Sequence, residues 1–263
     1  MHDFAFVFAG FVVGLVVGLT GVGGGSLMTP LLIFVFRVKP HLAIGTDLLF
    51  AAFTKMGGTV GLARARLVDW RIVGQVAAGS VPASLVTLYI LQRLGPANPA
   101  TQTLMTTTLG LALLLTAAAT FYKAIRGKAA PVCVAPEQLA QAIRARHWSL
   151  PVLFGAVIGT LVTLTSVGAG AIGVIVLMLL YPALPLPRIV AADIAHAVPL
   201  TLVAGLGHAS IGSVDWPLLL KLLAGSLPGI WLGSQLMRKT PERVIRSILS
   251  MLLAYAGAKL ISL

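Results

Sequence analysis

Apolar stretches long enough to cross a bilayer recur along this chain from end to end, and that recurrence constrains its fold more than any other feature. A helix rising about 1.5 Å per residue needs about 20 residues to cross the ~30 Å hydrocarbon core. The stretches fall at roughly 4–36, 42–63, 72–92, 102–122, 150–182, 190–210, 217–237 and 244–262, the first and fifth too long for one pass. Only 10% of the 263 residues are charged, against about 25% in a soluble domain. Lipid must therefore solvate most of the surface, and the expected fold is an all-α polytopic membrane protein. The formal net charge of +12 does not signal nucleic acid, because Lys and Arg sit in short loops between apolar spans without interleaved aromatics. The start, MHDFAFVFAG, lacks a basic leader region and carries Asp3, so no cleaved signal peptide is expected. A lone Cys133 supports neither a disulfide framework nor a thiolate metal site, and neither metal nor cofactor is expected.

The chain repeats itself. Asp69-Trp70 recurs 146 residues later as Asp215-Trp216, and the same shift carries Asp47 onto Asp193. It also carries Gly79-Ser80 and Pro82 onto Gly225-Ser226 and Pro228. With one residue less, TGVGGG at 20–25 maps onto TSVGAG at 165–170. The expected organisation is an N-terminal transmembrane repeat at 1–125, a polar linker at 126–149 and a C-terminal transmembrane repeat at 150–263. Within the linker, PEQLAQAIRAR reads as a short interfacial helix starting at Pro136.

Charge orients the repeats. With four crossings in each half, the basic loop residues divide eight against eight, which is no bias. If the first segment of each repeat is broken and makes an even number of crossings, the halves become inverted. Arg64, Arg66, Arg71, Lys123, Arg126, Lys128, Arg144, Arg146, Arg188, Arg238, Lys239, Arg243 and Arg246 then share one side. Arg37, Lys39 and Arg93 occupy the other. Thirteen against three is the bias of a cytoplasmic face. It sets the linker in the cytoplasm and both termini in the periplasm. Inverted repeats of about four segments, with eight to ten passes, are the expected architecture; such repeats commonly build secondary transporters with sites near the midplane.

The break itself falls at GLTGVGGGSLMTPLL. Gly21, Gly23, Gly24 and Gly25 stand within five positions, and each loosens a helix by roughly 1 kcal/mol relative to alanine. Neither nucleotide pattern fits, since Gly25-Ser26 leads into Leu27 rather than Lys, and no glycine closes a GxGxxG. Unwound backbone is tolerated in a bilayer where protein or a watery cavity surrounds it. A half-helix starting near Ser26 would aim free N–H groups and a positive dipole end into the interior. Thr20 and Ser26 add hydroxyls, and the duplicate adds Thr165, Ser166, Gly168 and Gly170. Two converging ends of this kind would receive a small anion. Gly10, Gly14 and Gly18, spaced as GxxxGxxxG, and Gly155 with Gly159 read instead as close-packing positions.

Ionisable residues inside spans each cost about 2.5–3.5 kcal/mol on insertion scales. Asp47 and Asp193 stand about two turns into helices that should begin near Pro40 and Pro187. His196 follows Asp193 on the same face, and Lys55 lies two turns beyond Asp47. One reading makes Lys55 an anion ligand and Asp47, Asp193 and His196 coupling groups for H⁺ or Na⁺. The other pairs Asp47 with Lys55 and Asp193 with His196 as internal neutralisation. Asp69 and Asp215 read as helix caps, with Trp70 and Trp216 as interfacial anchors. No G-x-S-x-G or H-E-x-x-H occurs, and the chain does not read as an enzyme.

An apolar N-terminal helix running into GLTGVGGGSLMTPLL, then KPHLAIGTDLLF, then a second half with TSVGAG and a matching Asp, resembles the sulfite exporter TauE/SafE family of membrane permeases. The likeness covers essentially the whole chain and is sharpest at the GxGGG and Gly-Thr-Asp stretches; TSVGAG is poorer in glycine. It implies a bacterial inner-membrane transporter of a small sulfur-containing anion such as sulfite, a sulfonate or sulfoacetate. It supplies no residue roles, so the site residues rest on the physical reading. The expected mechanism is alternating access of the two repeats. A passive anion channel and a non-transporting membrane subunit are the competing readings, and a homo-oligomer is left open.

Overall fold

The computed structural model describes residues 2–20, 25–126, 148–168, 170, 172–236 and 242–261, and these form ten helices. In chain order they are α1 (His2–Thr20), α2 (Gly25–Phe34), α3 (Pro40–Arg64), α4 (Trp70–Leu94) and α5 (Pro99–Arg126). After the linker come α6 (Ser149–Thr165), α7 (Ile172–Leu180), α8 (Leu186–Ser210), α9 (Trp216–Leu236) and α10 (Glu242–Ile261). Among the described residues, four stretches are both long and apolar enough to cross a membrane: Trp70–Leu94, Pro99–Phe121, Leu186–Ser210 and Trp216–Gly233. The chain is a multi-pass helical membrane protein.

The second over-long apolar segment is divided, as its glycine motif predicts. In the first, the described helices α1 and α2 flank Gly21, Gly23 and Gly24, which lie outside the described residues. The 10 residues of α2 and the 9 of α7 are each about half of what a crossing requires. The second break is folded by left-handed backbone. Ser166 takes φ 58° as the C-cap of α6, and Gly168 and Gly170 follow at φ 129° and 121°. Ser166 N–H donates to the Val162 carbonyl (2.7 Å) and Gly173 N–H to the Gly168 carbonyl (3.2 Å). Thus the α6 end and the α7 start are each tied down across the gap.

Local chemistry explains the other boundaries. Pro40 opens α3 and Pro187 lies in the first turn of α8, where a missing N–H is no loss. Asp69 caps α4 by accepting from Arg71 N–H (3.1 Å) and Ile72 N–H (3.4 Å). Asp215 accepts from Leu218 N–H (3.0 Å) at the start of α9. Trp70 and Trp216, beside these caps, are 62% and 52% exposed, as interfacial anchors should be.

The helices pack in reciprocal pairs: α1 with α9, α6 with α4, α3 with α8 and α5 with α10. Glycine sets the closeness of the first two pairs. A methyl group on Gly10 or Gly14 would collide with the backbone carbonyls of Leu222 or Ser226, and Gly18 touches Gly233. Likewise Gly155 and Gly159 lie against the backbone of Val76 and Ser80. In both pairs the contacts advance together along the two helices, so α1 runs parallel to α9 and α4 parallel to α6. The other two pairs run antiparallel. Gly45 meets His208 and Ser213 while Gly205 meets Leu49. Gly110 meets Gly257 and Ile261, and further along α5 Ala117 and Ala118 line a groove with Ser250 and Ala254 of α10.

Backbone-to-backbone packing leaves no room for a side chain, so Gly155→Ala should destabilise by about 1–3 kcal/mol through overpacking. Gly61→Ala on α3, where a Cβ meets nothing within 4 Å, should not lower stability. Thermal unfolding of the detergent-purified variants checks the contrast; equal melting temperatures would contradict the seam.

Candidate functional site

The polar groups inside the helix bundle gather around the antiparallel crossing of α3 and α8. Asp47, on the second turn of α3, is fully buried. Its Oδ2 accepts a hydrogen bond from Thr29 Oγ1, carried on α2. The half-helix that follows the first glycine break therefore delivers a hydroxyl to the intramembrane carboxylate. From the other half of the chain, Ser166 brings its hydroxyl beside the same carboxylate. Ser166 reaches there because its left-handed backbone turns the chain at the end of α6.

Asp193, on the second turn of α8, is 2% exposed. It lies against Gly173 in the first turn of α7, where even a methyl group would collide with its Oδ1. The absence of a side chain at Gly173 is what admits the carboxylate to the start of that half-helix. Lys55, 8% exposed near the middle of α3, lies within electrostatic reach of both carboxylates. One ammonium thus serves two carboxylates contributed by two different helices. Burial in a low-dielectric interior makes such compensation obligatory.

His196 is one turn beyond Asp193, and its Nε2 hydrogen-bonds Ser80 Oγ of α4 at 2.8 Å. One turn along α4, Ser84 Oγ accepts from Thr163 Oγ1 of α6 (2.8 Å). The Thr163 carbonyl in turn meets His208 Nε2 of α8 at 3.0 Å. The α4–α6 seam is therefore polar on the side that faces α8, although its contact line is glycine.

The structure brings Asp47, Lys55, Ser166, Asp193 and His196 within mutual electrostatic or hydrogen-bonding reach. Thr165 is placed differently. Its hydroxyl donates to the Leu161 carbonyl (2.6 Å) and accepts from Val167 N–H (3.1 Å), so it folds the break. Gly168 and Gly170 contribute the backbone turn. Gly21, Gly23 and Gly24 lie outside the described residues, as do the side chains of Thr20 and Ser26, while Gly25 opens α2. Sequence reasoning missed Thr29, Ser84, Thr163 and His208 as partners. A signal existed for Thr29, a hydroxyl one turn past Ser26 in otherwise apolar SLMTPLL, and for Ser80, which recurs as Ser226.

Divided apolar segments, short half-helices and charged groups sealed between helices define a polytopic membrane protein with an internal polar centre. Residues 6–260 match the family described as Sulfite exporter TauE/SafE. The chain is 33% identical over 264 residues to the probable membrane transporter protein YjnA of Bacillus subtilis (strain 168), with 97% of this chain and 98% of that protein covered. It is 27% identical to the probable membrane transporter proteins YunE and YdhB of the same organism, over 97% and 95% of this chain and 96% and 97% of theirs. No solved structure matches. The chain belongs to the sulfite exporter TauE/SafE family and is a membrane transporter.

Removing the Ser80 hydroxyl would leave His196 Nε2 buried and unpaired, at a cost of about 1–3 kcal/mol. Ser80→Ala should therefore lower the thermal unfolding midpoint clearly. Thr160→Ala, which removes an exposed hydroxyl from α6, should change stability by no more than about 0.5 kcal/mol.

Proposed function

We propose that this chain is a secondary transporter for a small sulfur-containing anion, sulfite, a sulfonate or sulfoacetate, working by alternating access of two inverted repeats in a bacterial inner membrane. The single observation that carries the reading is Lys55, a cation buried inside the helix bundle within electrostatic reach of Asp47 and Asp193. An anion entering the bilayer needs positive charge and N–H donors in place of water. Lys55 supplies the charge. The starts of α2 and α7 supply the positive ends of helix dipoles. Thr20, Gly21, Gly23, Gly24, Gly25 and Ser26 from one break, and Thr165, Ser166, Gly168 and Gly170 from the other, form the substrate-receiving segments. Asp47, Asp193 and His196 are the coupling groups, titrating or binding a cation as the substrate engages Lys55. The substrate class agrees with the family's description as sulfite exporters.

The packing directions support the inversion. A path with α1 parallel to α9, α4 parallel to α6, and α3 antiparallel to α8 requires α2 and α7 to return toward the face they came from. That path puts 13 basic residues on one face and 3 on the other, which makes the first face cytoplasmic. The halves at 1–125 and 150–263 are then the two moving bodies, with the linker at 126–149 in the cytoplasm and both termini in the periplasm.

Uptake of labelled sulfite into proteoliposomes checks the reading. Lys55→Ala should reduce the rate at least about tenfold, the equivalent of ~1.4 kcal/mol, and Ser26→Ala should reduce it measurably. Unchanged flux in both variants would remove this site. Flux that an imposed ion gradient cannot drive uphill would make the protein a passive channel.

A further inference from the structure

The two halves of the chain place different chemistry around their equivalent carboxylates. Asp47 Oδ2 takes the Thr29 hydroxyl proton, which leaves the lone pairs of Thr29 Oγ1 free to act as acceptors. Asp47 Oδ1 and Ser166 Oγ, on residues 0% and 6% exposed, are both buried without a hydrogen-bond partner, and Ser166 lies beside the Asp47 carboxylate. Oxygens from α2, α3 and the α6–α7 break thus meet at one buried carboxylate. At the shift of 145 that aligns the two glycine motifs, the residues matching Thr29 and Ser166 are Val174 and Gly21, which carry no hydroxyl.

A proton on Oδ1 would neutralise Asp47 and engage Ser166 Oγ alone. A small hard cation would engage Oδ1, Ser166 Oγ and Thr29 Oγ1 together, because such ions take carboxylate and hydroxyl oxygen ligands. Unwound segments in transporters place ligands for such ions beside the substrate site. We propose that Asp47 Oδ1, Ser166 Oγ and Thr29 Oγ1 form a sodium site that joins the α6–α7 break to α2 and α3. Its coupling role rests on the transport reading above, with Na⁺ as the co-transported ion. The cation compensates Asp47, Lys55 serves Asp193 and the entering anion, and the two charges are handled at separate, adjoining places.

The test uses the detergent-purified full chain without sulfite, at constant ionic strength in sodium, potassium or choline chloride. Sodium should raise the unfolding midpoint saturably, because a ligand of the folded state stabilises it; potassium and choline should not. Ser166→Ala and Thr29→Val should weaken apparent Na⁺ affinity at least about tenfold, and Thr160→Ala should leave it unchanged. Equilibrium dialysis of radiolabelled sodium against the wild type gives a readout independent of unfolding. Equal midpoints in the three salts, undiminished Na⁺ affinity in Ser166→Ala, or stabilisation that follows pH alone would each overturn the site. Sulfite uptake that persists in choline would overturn sodium coupling while leaving the transporter reading intact. Na⁺ binding that Ser166→Ala abolishes, in a protein with no sulfite flux at all, would support the site and remove the transport reading.

Discussion

Charge buried in a bilayer must be answered inside the protein, because lipid answers nothing. Asp47, Asp193 and Lys55 lie at or below 8% exposure, and the arrangement of helices around them follows from that demand. α3 carries Asp47 and Lys55 on one face, α8 brings Asp193 and His196 alongside, and the two run antiparallel so that Lys55 reaches Asp193. The half-helices complete the enclosure. Thr29 on α2 gives Asp47 a donor, and Gly173 at the start of α7 makes room for Asp193. α7, with 9 residues, does not cross the membrane by its own length.

Around that centre stands a frame with a different physical basis. Helices in lipid gain little from burying leucine, so close backbone contact and van der Waals packing must hold them together. The α1–α9 and α4–α6 pairs achieve this with glycines at successive turns, bringing carbonyls where side chains would otherwise be. Because the α4–α6 seam also carries Ser80, Ser84 and Thr163, it joins the frame to the polar centre through His196 and His208. A shift of α8 against this seam would break two buried hydrogen bonds, so the frame resists casual movement and tolerates a concerted one.

Much of this was legible from the chain alone where the signal is local or repeated. The division of the second over-long segment followed from its glycine motif in apolar surroundings, the caps at Asp69 and Asp215 from residue type before an apolar run, and Asp47 and Asp193 from their cost in lipid. The partners were less legible. Thr165 and Ser166 are adjacent hydroxyls in one motif, yet one folds its own backbone and the other turns toward Asp47. A left-handed φ at Ser166 decides which is which, and composition does not encode that angle.

The sequence by itself determined that the chain resides in lipid, that its two halves share a pattern, that each pattern carries a glycine motif in its first apolar segment, and that each holds one carboxylate among apolar residues. Periodicity, length and transfer cost act residue by residue, so they are readable without a fold. Only the tertiary structure decided that Thr29 answers Asp47, that Ser80 answers His196 across 116 residues, and that Lys55 comes within electrostatic reach of carboxylates on two helices. Those pairings depend on which helix faces meet, and the faces meet where small residues let backbones approach, a property of two surfaces together.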